Sequence, residues 1–430
     1  MSLHKILFTC FLALSTFFPF CVSAAGITNY PVLINPTYWT AQNKDGDKVI
    51  LDNKGVADFN AKVRNASRTV VDIANYPTVI SGDSLKTKIM NYSLLDDDLY
   101  LHGNKVSDNY KNILRKQTNI AAIPGSVNVR YAVVVRRSAL RALPTGEGLY
   151  YYAADKEFDA LQETELDPGE PVIVLHTSAN GFFYYVQSIN YSGWISKFNL
   201  ALTDKSSWLL FAKPSKFLVV TDANYVLKTN GENVIYQQGA RIPVDSESSS
   251  VYNIFAPVRT STGNLQKQKL LVPKAAPGIN YGYLPYTSNN IIRSAFKFYG
   301  MPYGWGGLKD SVDCSSLVYN AYRTVGIYLP RNADEQEQSA GTKYPLSGST
   351  VLRTGVINNL QPGAVLYKDG HCLVYIGKNN NVPYAIHALG SYYGGGVRHN
   401  VMKVVVSDLS LTVYDGNSMV NDLTTAIEFK

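Results

Sequence analysis

The chain has 430 residues, 46% apolar and 17% charged, with a formal net charge of +7 at pH 7. That length accommodates about two to four domains, and the composition excludes a disordered or fibrous chain. The basic excess is modest and contains no dense Lys/Arg run, so attraction to acidic partners is weak.

The first two dozen residues have the features of a secretory signal. Lys5 gives a positive start, Ile6 to Phe20 is almost wholly apolar, and Val22-Ser23-Ala24 supplies small residues for cleavage after residue 24. Phe18-Pro19-Phe20 lacks the small residues of a lipid-attachment site before Cys21. The expectation is export to the periplasm or beyond, with no stable membrane insertion after signal cleavage. Export argues against a nucleic-acid partner. Cys10 and Cys21 fall in the signal, leaving Cys314 and Cys372, too few for a disulfide scaffold. One disulfide, one working thiol or a metal site beside His371 are the readings left open.

Residues 25–120 mix polar loops with short helical patterns. Ser107 opens one of these, with Val106, Tyr110, Ile113 and Leu114 as its apolar stripe. Asp96-Asp97-Asp98 reads as a solvated turn. From about 125 the pattern turns to short strands: Val133 to Val135, Pro171 to Leu175 and Phe183 to Val186. Asp167-Pro168-Gly169 and Ala179-Asn180-Gly181 supply turns. This predicts a small β-barrel over 125–205. A second all-β block over 206–275 has strands at Phe217 to Thr221 and Asn233 to Tyr236. The surplus of tyrosine, 31 against 16 Phe, suits such half-buried strand faces.

Lys274 to Gly278 reads as a linker into a last unit, 280–430. Thr287-Ser288 caps a predicted helix with Ile291, Ile292, Ala295, Phe296 and Tyr299 on its apolar face. Asp313-Cys314-Ser315-Ser316 precedes apolar Leu317, Val318, Ala321, Tyr322 and Val325, the spacing of an amphipathic helix that Gly326 ends. Cys314 then lies in the first turn of a core helix, where unpaired N–H groups and the helix dipole favour thiolate. Gly370 to Gly377 reads as a strand with His371, Leu373 and Tyr375 on one face and Cys372, Val374 and Ile376 on the other. Alternation therefore directs Cys372 away from whatever His371 serves. Lys378 to Asn381 turns the chain back, which can set His387 beside His371 as the third member of a triad. A metal centre made from Cys314, His371 and His387 has no Cys-x-x-Cys or His-x-x-x-His spacing behind it. No cofactor motif is present.

Tyr303-Gly304-Trp305-Gly306-Gly307, Asp313-Cys314-Ser315-Ser316-Leu317, Gly370-His371 and His387 together resemble the NlpC/P60 peptidases. The resemblance covers roughly the last 150 residues and implies an α+β, papain-like catalytic domain. The upstream blocks are similar to the two bacterial SH3 barrels and N-terminal stabilising segment of members that cleave γ-D-glutamyl-diamino-acid bonds in murein peptides. It implies Cys314 as nucleophile, His371 as base and His387 as the group that orients it. Tyr303 would lie near the oxyanion, with Asp313 and Ser315 contacting substrate. Trp305 is either a cleft residue or fold-determining packing. Arg331, in Leu329 to Gln336, fits as a partner for a substrate carboxylate. Asn332 stands where an acidic residue is typical and Ala333 where Ser is typical. An amide brings no charge to a free L-Ala amine, so strict recognition of that amine is not implied, though a carboxylate of the first barrel could replace the acid. Asp159 and Glu163 are candidates, set against the simpler reading of each as a solvated surface group. The alternatives are a cell-wall amidase or acyltransferase with the same Cys-His site, or a non-catalytic wall-binding scaffold. Nothing in the sequence specifies an inhibitor protein.

Overall fold

The computed structural model describes residues 26–414 and 416–430; the expected signal, residues 1–24, lies outside them. The fold is α+β. Four helices of the N-terminal part, α1 (Pro36–Gln42), α2 (Asn53–Ala66), α3 (Gly82–Ile89) and α4 (Asp108–Gln117), each start on an Asn, Asp or Ser side chain that accepts a backbone N–H of the first turn. Ser107 caps α4 as expected, yet of its apolar stripe Leu114 is buried while Ile113 stays exposed. The segment is pinned to the last unit. Trp39, Phe59 and Val63 enter the largest core, and Asn60 Oδ1 accepts the Tyr328 N–H at 3.0 Å.

Strands β1 (Arg130–Val134), β2 (Ser138–Arg141), β3 (Gln162–Leu166), β4 (Pro171–Thr177), β5 (Phe183–Gln187), β6 (Ser192–Ser196) and β7 (Leu200–Thr203) pair in the order β7-β1-β4-β5-β6-β2-β3. Val134, Leu140, Val172, Val174, Val186 and Ile195 fill the interior. Gly169 and Gly181 have φ of +82° and +70° at the two turns marked by the sequence. Helix α5 (Lys205–Ala212) leads to strands β8 (Phe217–Val220), β9 (Asn224–Thr229), β10 (Glu232–Gln237), β11 (Arg241–Glu247), β12 (Val251–Arg259), β13 (Leu265–Pro273) and β14 (Ile279–Tyr281). Their five-stranded sheet runs β13-β12-β11-β8-β14, with β9 and β10 as a separate hairpin. The segment read as a linker thus feeds straight into β14, whose Ile279 pairs with Val220.

Helix α6 (Ser288–Phe296) and helix α7 (Cys314–Arg323) follow. Next come helix α8 (Ala333–Gln338), strand β15 (Thr342–Pro345) and helix α9 (Thr350–Ile357). The remaining strands are β16 (Val365–Lys368), β17 (His371–Asn379), β18 (Val382–Gly394), β19 (Val397–Asp408) and β20 (Thr425–Glu428). The sheet order is β15-β20-β16-β17-β18-β19. Helices α6 and α7 cover one face, where Cys372, Val374 and Ile376 point. Leu373, Tyr375 and α9 residue Ile357 pack on the other. Asn380 and Asn381, with φ of +50° and +63°, form the tight turn between β17 and β18. Asp167 joins the three parts. It accepts Arg137 NH1 at 2.8 Å, the Gln237 N–H at 3.0 Å and, from the end of α7, Arg323 NH2 at 3.1 Å. Among the described residues no helix is long and apolar enough to cross a membrane.

Candidate active site

The start of α7 is fixed from three directions. Asp313 is its N-cap: Oδ1 accepts the Ser316 N–H at 2.8 Å, and Ser316 Oγ accepts the Asp313 N–H at 2.9 Å, a reciprocal capping box. Arg331 reaches Asp313 Oδ1 at 3.2 Å and Oδ2 at 2.5 Å, and the Gly306 N–H donates to Oδ2 at 3.0 Å. Burial works to raise the Asp313 pKa, but the Arg331 charge and the hydrogen bonds outweigh it and hold the carboxyl below its usual range. Arg331 also donates to Ser315 Oγ at 2.9 Å and Thr164 Oγ1 at 2.8 Å. Its fork is thus spent inside the protein. The substrate-carboxylate role expected of Arg331 gives way to a buried pair with Asp313, because at 3% exposure the guanidinium needs a protein counter-ion.

Cys314 follows the cap, 8% exposed at the floor of the cleft. Cys372 shares its core, and Cys372 and His371 are the two groups that pull its pKa down. The expectation that Cys372 points away is overturned. Alternation along β17 holds, but the face that carries Cys372 is the one α7 packs on, so Cys372 joins Cys314 in one core, while His371 stands at the strand's first position. The Cys372 S–H is the largest influence holding the Cys314 pKa well below an ordinary thiol. Burial opposes it, and His371 adds to it through a hydrogen bond and its charge. Burial and the neighbouring thiolate in turn push Cys372 well up, so it stays a donor. Both thiols are free.

His371 Nε2 lies 2.8 Å from His387 Nδ1, and His387 Nε2 lies 2.9 Å from Ser407 Oγ. His387 is 0% exposed, and burial followed by the His371 charge pushes its pKa well below the usual imidazole value, so it is neutral. The sequence-expected Cys314, His371 and His387 therefore converge. Among the described residues no group of three or more His, Cys, Asp or Glu side chains is placed to hold a metal ion.

Tyr303 is positioned by its N–H, which donates to the Met402 carbonyl at 2.9 Å. Burial, aided by the charges of Cys314 and Asp313, pushes its pKa up, so a protonated hydroxyl belongs to this cleft-lining residue. Trp305 lines the same cleft and is also structural: Nε1 donates to the Asp159 carbonyl at 3.0 Å and its ring meets Phe158 edge-on at 5.5 Å. The two glycines after it let the first barrel approach. At Gly306, φ is +55° and a Cβ would come within 2.6 Å of Gln162 Cγ; Gln162 Nε2 donates to its carbonyl at 3.0 Å.

The cleft encloses about 500 Å³ between the first barrel and the last unit. Asn332 and Glu163 stand at one end. Tyr191 donates its hydroxyl to Glu163. Burial raises the Glu163 pKa against the opposing pull of that hydrogen bond and of Arg331. Asp159 is occupied elsewhere, by Arg141 at 2.9 Å and the Leu149 and Leu161 N–H groups at 3.0 Å each. The surface reading of both carboxylates fails, and Glu163 is the one in the cleft. Sequence reasoning missed Tyr191, Cys372 as a neighbour of Cys314, and Ser407. Only Ser407 left a signal, as a lone hydroxyl ending the apolar run Val404-Val405-Val406.

The NlpC/P60 family profile matches residues 300–403, and that of an SH3 domain of the SH3b1 type matches residues 150–196. The chain is 25% identical over 238 residues to a gamma-D-glutamyl-L-lysine dipeptidyl-peptidase of Bacillus subtilis (strain 168), over 52% of this chain and 66% of that protein. It is 24% identical over 162 residues to the Bacillus cereus (strain ATCC 10987 / NRS 248) protein of that name, over 35% of this chain and 44% of the relative. The aligned stretch therefore falls short of the full length of both. An NlpC/P60 endopeptidase from Photobacterium damselae subsp. piscicida has the same fold, with a TM-score of 0.73 at 20% identity over 90% of this chain and 95% of that one. By these matches the chain carries an NlpC/P60 domain with an SH3b1-type domain upstream, and Cys314, within the first, lines the cleft that the first barrel walls.

Proposed function

We propose that this protein is an exported endopeptidase that hydrolyses the γ-D-glutamyl bond to the diamino acid in murein stem peptides, acting on peptides with a free N-terminal L-Ala. Cys314 as thiolate attacks the γ-carbonyl carbon, and its proton resides on His371. Tyr303 Oη–H and the free N–H groups at the start of α7 hold the oxyanion. His371 then gives its proton to the leaving amine and takes one from the water that releases the acyl group. The observation that carries the substrate reading is the hydrogen-bonded end of the cleft. Glu163 and Asn332 line the cleft there, and Tyr191 holds the Glu163 carboxylate from the neighbouring pocket by a hydrogen bond, which leaves a carboxylate for a terminal ammonium. On this reading a peptide whose free amine meets Glu163 is preferred to one that continues into a glycan strand. Glu163 supplies the charge that Asn332 lacks.

The B. subtilis and B. cereus relatives are named for a dipeptidyl-peptidase reaction at γ-D-glutamyl-L-lysine, which agrees with a free amine bound at this end. Mass spectrometry of digests tests the reading. A free tri- or tetrapeptide should yield L-Ala-γ-D-Glu, while the same peptide N-acetylated, and intact murein, should be cleaved poorly. Equal cleavage of free and acetylated peptides would refute the free-amine reading.

A further inference from the structure

Three strands carry the polar chain that ends at Ser407. In β17 and β18, Val374 lies opposite Ile386 and Tyr375 opposite Ala385, a register that sets Leu373 opposite His387. In β18 and β19, His387 lies opposite Val405 and Ala385 opposite Ser407. His371, His387 and Ser407 therefore share one face of the sheet and step diagonally across it. Diagonal neighbours on a sheet face are about 7–8 Å apart, within reach of long side chains. Two imidazole rings span the steps, closing contacts of 2.8 Å and 2.9 Å.

The direction of the protons in this chain decides whether His371 works. Nε2 of His371 is taken by His387, so Nδ1 is the nitrogen left to receive the Cys314 proton. Once it has done so, both ring nitrogens of His371 carry hydrogen, and Nε2–H must donate to His387 Nδ1. A neutral His387 can accept there only if its own proton is on Nε2, facing Ser407. In the reverse arrangement Ser407 would donate to Nε2 and His387 would carry its proton on Nδ1. His371 would then hold a proton on Nδ1 and have no lone pair for the thiol.

We propose that Ser407 is a positioning residue for the peptidase reaction: its Oγ accepts the His387 Nε2–H and so holds His387 in the tautomer whose Nδ1 accepts from the His371 imidazolium. The proposal rests on the thiol-peptidase reading of Cys314. Ser407 and His387 are both 0% exposed, so no water replaces the hydroxyl when it is removed. An unsatisfied buried N–H then opposes the imidazolium, which narrows the pH range of the thiolate–imidazolium pair.

Ser407→Ala, Ser407→Val and Ser407→Thr separate hydroxyl from shape. Two readouts apply: kcat and KM on a γ-D-glutamyl tripeptide, and the pH profile of Cys314 alkylation by iodoacetamide, followed on the Cys314 peptide. In the Ala and Val variants kcat should fall roughly tenfold to a hundredfold with KM little changed, and the acid limb of alkylation should move to higher pH. Thr should restore the wild-type profile. A wild-type profile and kcat in Ser407→Ala, or identical profiles for Val and Thr, would overturn the proposal in favour of packing alone. Should the larger variants fail to fold, the ring-nitrogen NMR shifts of His387 in the wild-type protein decide. A proton on Nε2 supports the proposal and one on Nδ1 overturns it. Alkylation needs no peptide, so a wrong substrate assignment would leave this result standing and show only in the kcat measurement.

Discussion

Replacing Cys372 tests how the nucleophile is activated. The Cys372 S–H is the largest influence lowering the Cys314 pKa, and the site is buried, so water does not take the donor's place. Hydrogen bonds to charged groups contribute about 1.5–3 kcal/mol, and a thiol is a weak donor, so the low end applies. That corresponds to about one pKa unit. In Cys372→Ala the Cys314 pKa should therefore rise by about one unit, moving the acid limb of kcat/KM and of thiol alkylation to higher pH by the same amount. Cys372→Ser retains a donor and should keep the limb near its original place. Alkylation rates across pH, with thiolate absorbance as an independent check, give the limb directly. An unmoved limb in Cys372→Ala, alongside intact folding, would refute the assignment of Cys372 as the donor.

Other substitutions probe the frame around the thiol. Arg331→Met leaves the Asp313 carboxylate buried without its partner and should cost about 3–5 kcal/mol in denaturant unfolding. Gly306→Ala places a Cβ against Gln162 at positive φ. It should cost about 1–3 kcal/mol and lower kcat/KM, measured by unfolding and peptide hydrolysis. Glu163→Gln should raise KM for free-amine peptides roughly tenfold or more, without changing the slow cleavage of acetylated ones. The same carboxyl predicts a pH effect. Burial raises its pKa, so as pH falls the ammonium-binding charge is lost at higher pH than for an ordinary Glu. KM should climb on the acid side in the wild-type protein and stay flat in Glu163→Gln.

Local order along the chain was largely readable. Asp313-Cys314-Ser315-Ser316 announces a capped helix because an acid and a Ser three residues apart can satisfy each other's backbone N–H groups, and they do. The β17–β18 turn was readable from Asn380 and Asn381, which tolerate positive φ, and it brings His387 to His371. What alternation could not say is which sheet face α7 would cover. Cys372 was assigned the right side of its strand and the wrong neighbour for that reason. Arg331 was read as facing substrate because a guanidinium fork suits carboxylates, and nothing local revealed that Asp313, 18 residues earlier, would take it. Glu163, held by Tyr191, belongs to the cleft through the docking of the first barrel, a long-range arrangement with no periodic signature.

The central claim is that Cys314 is the nucleophile of a γ-D-glutamyl peptidase. Rapid acid quench of the protein with a free L-Ala-γ-D-Glu-diamino-acid peptide, followed by peptide mass mapping, tests it most directly. The account predicts an L-Ala-γ-D-Glu thioester on the peptide containing Cys314, absent from Cys314→Ala. An adduct on another residue, or undiminished turnover in Cys314→Ala, would contradict it.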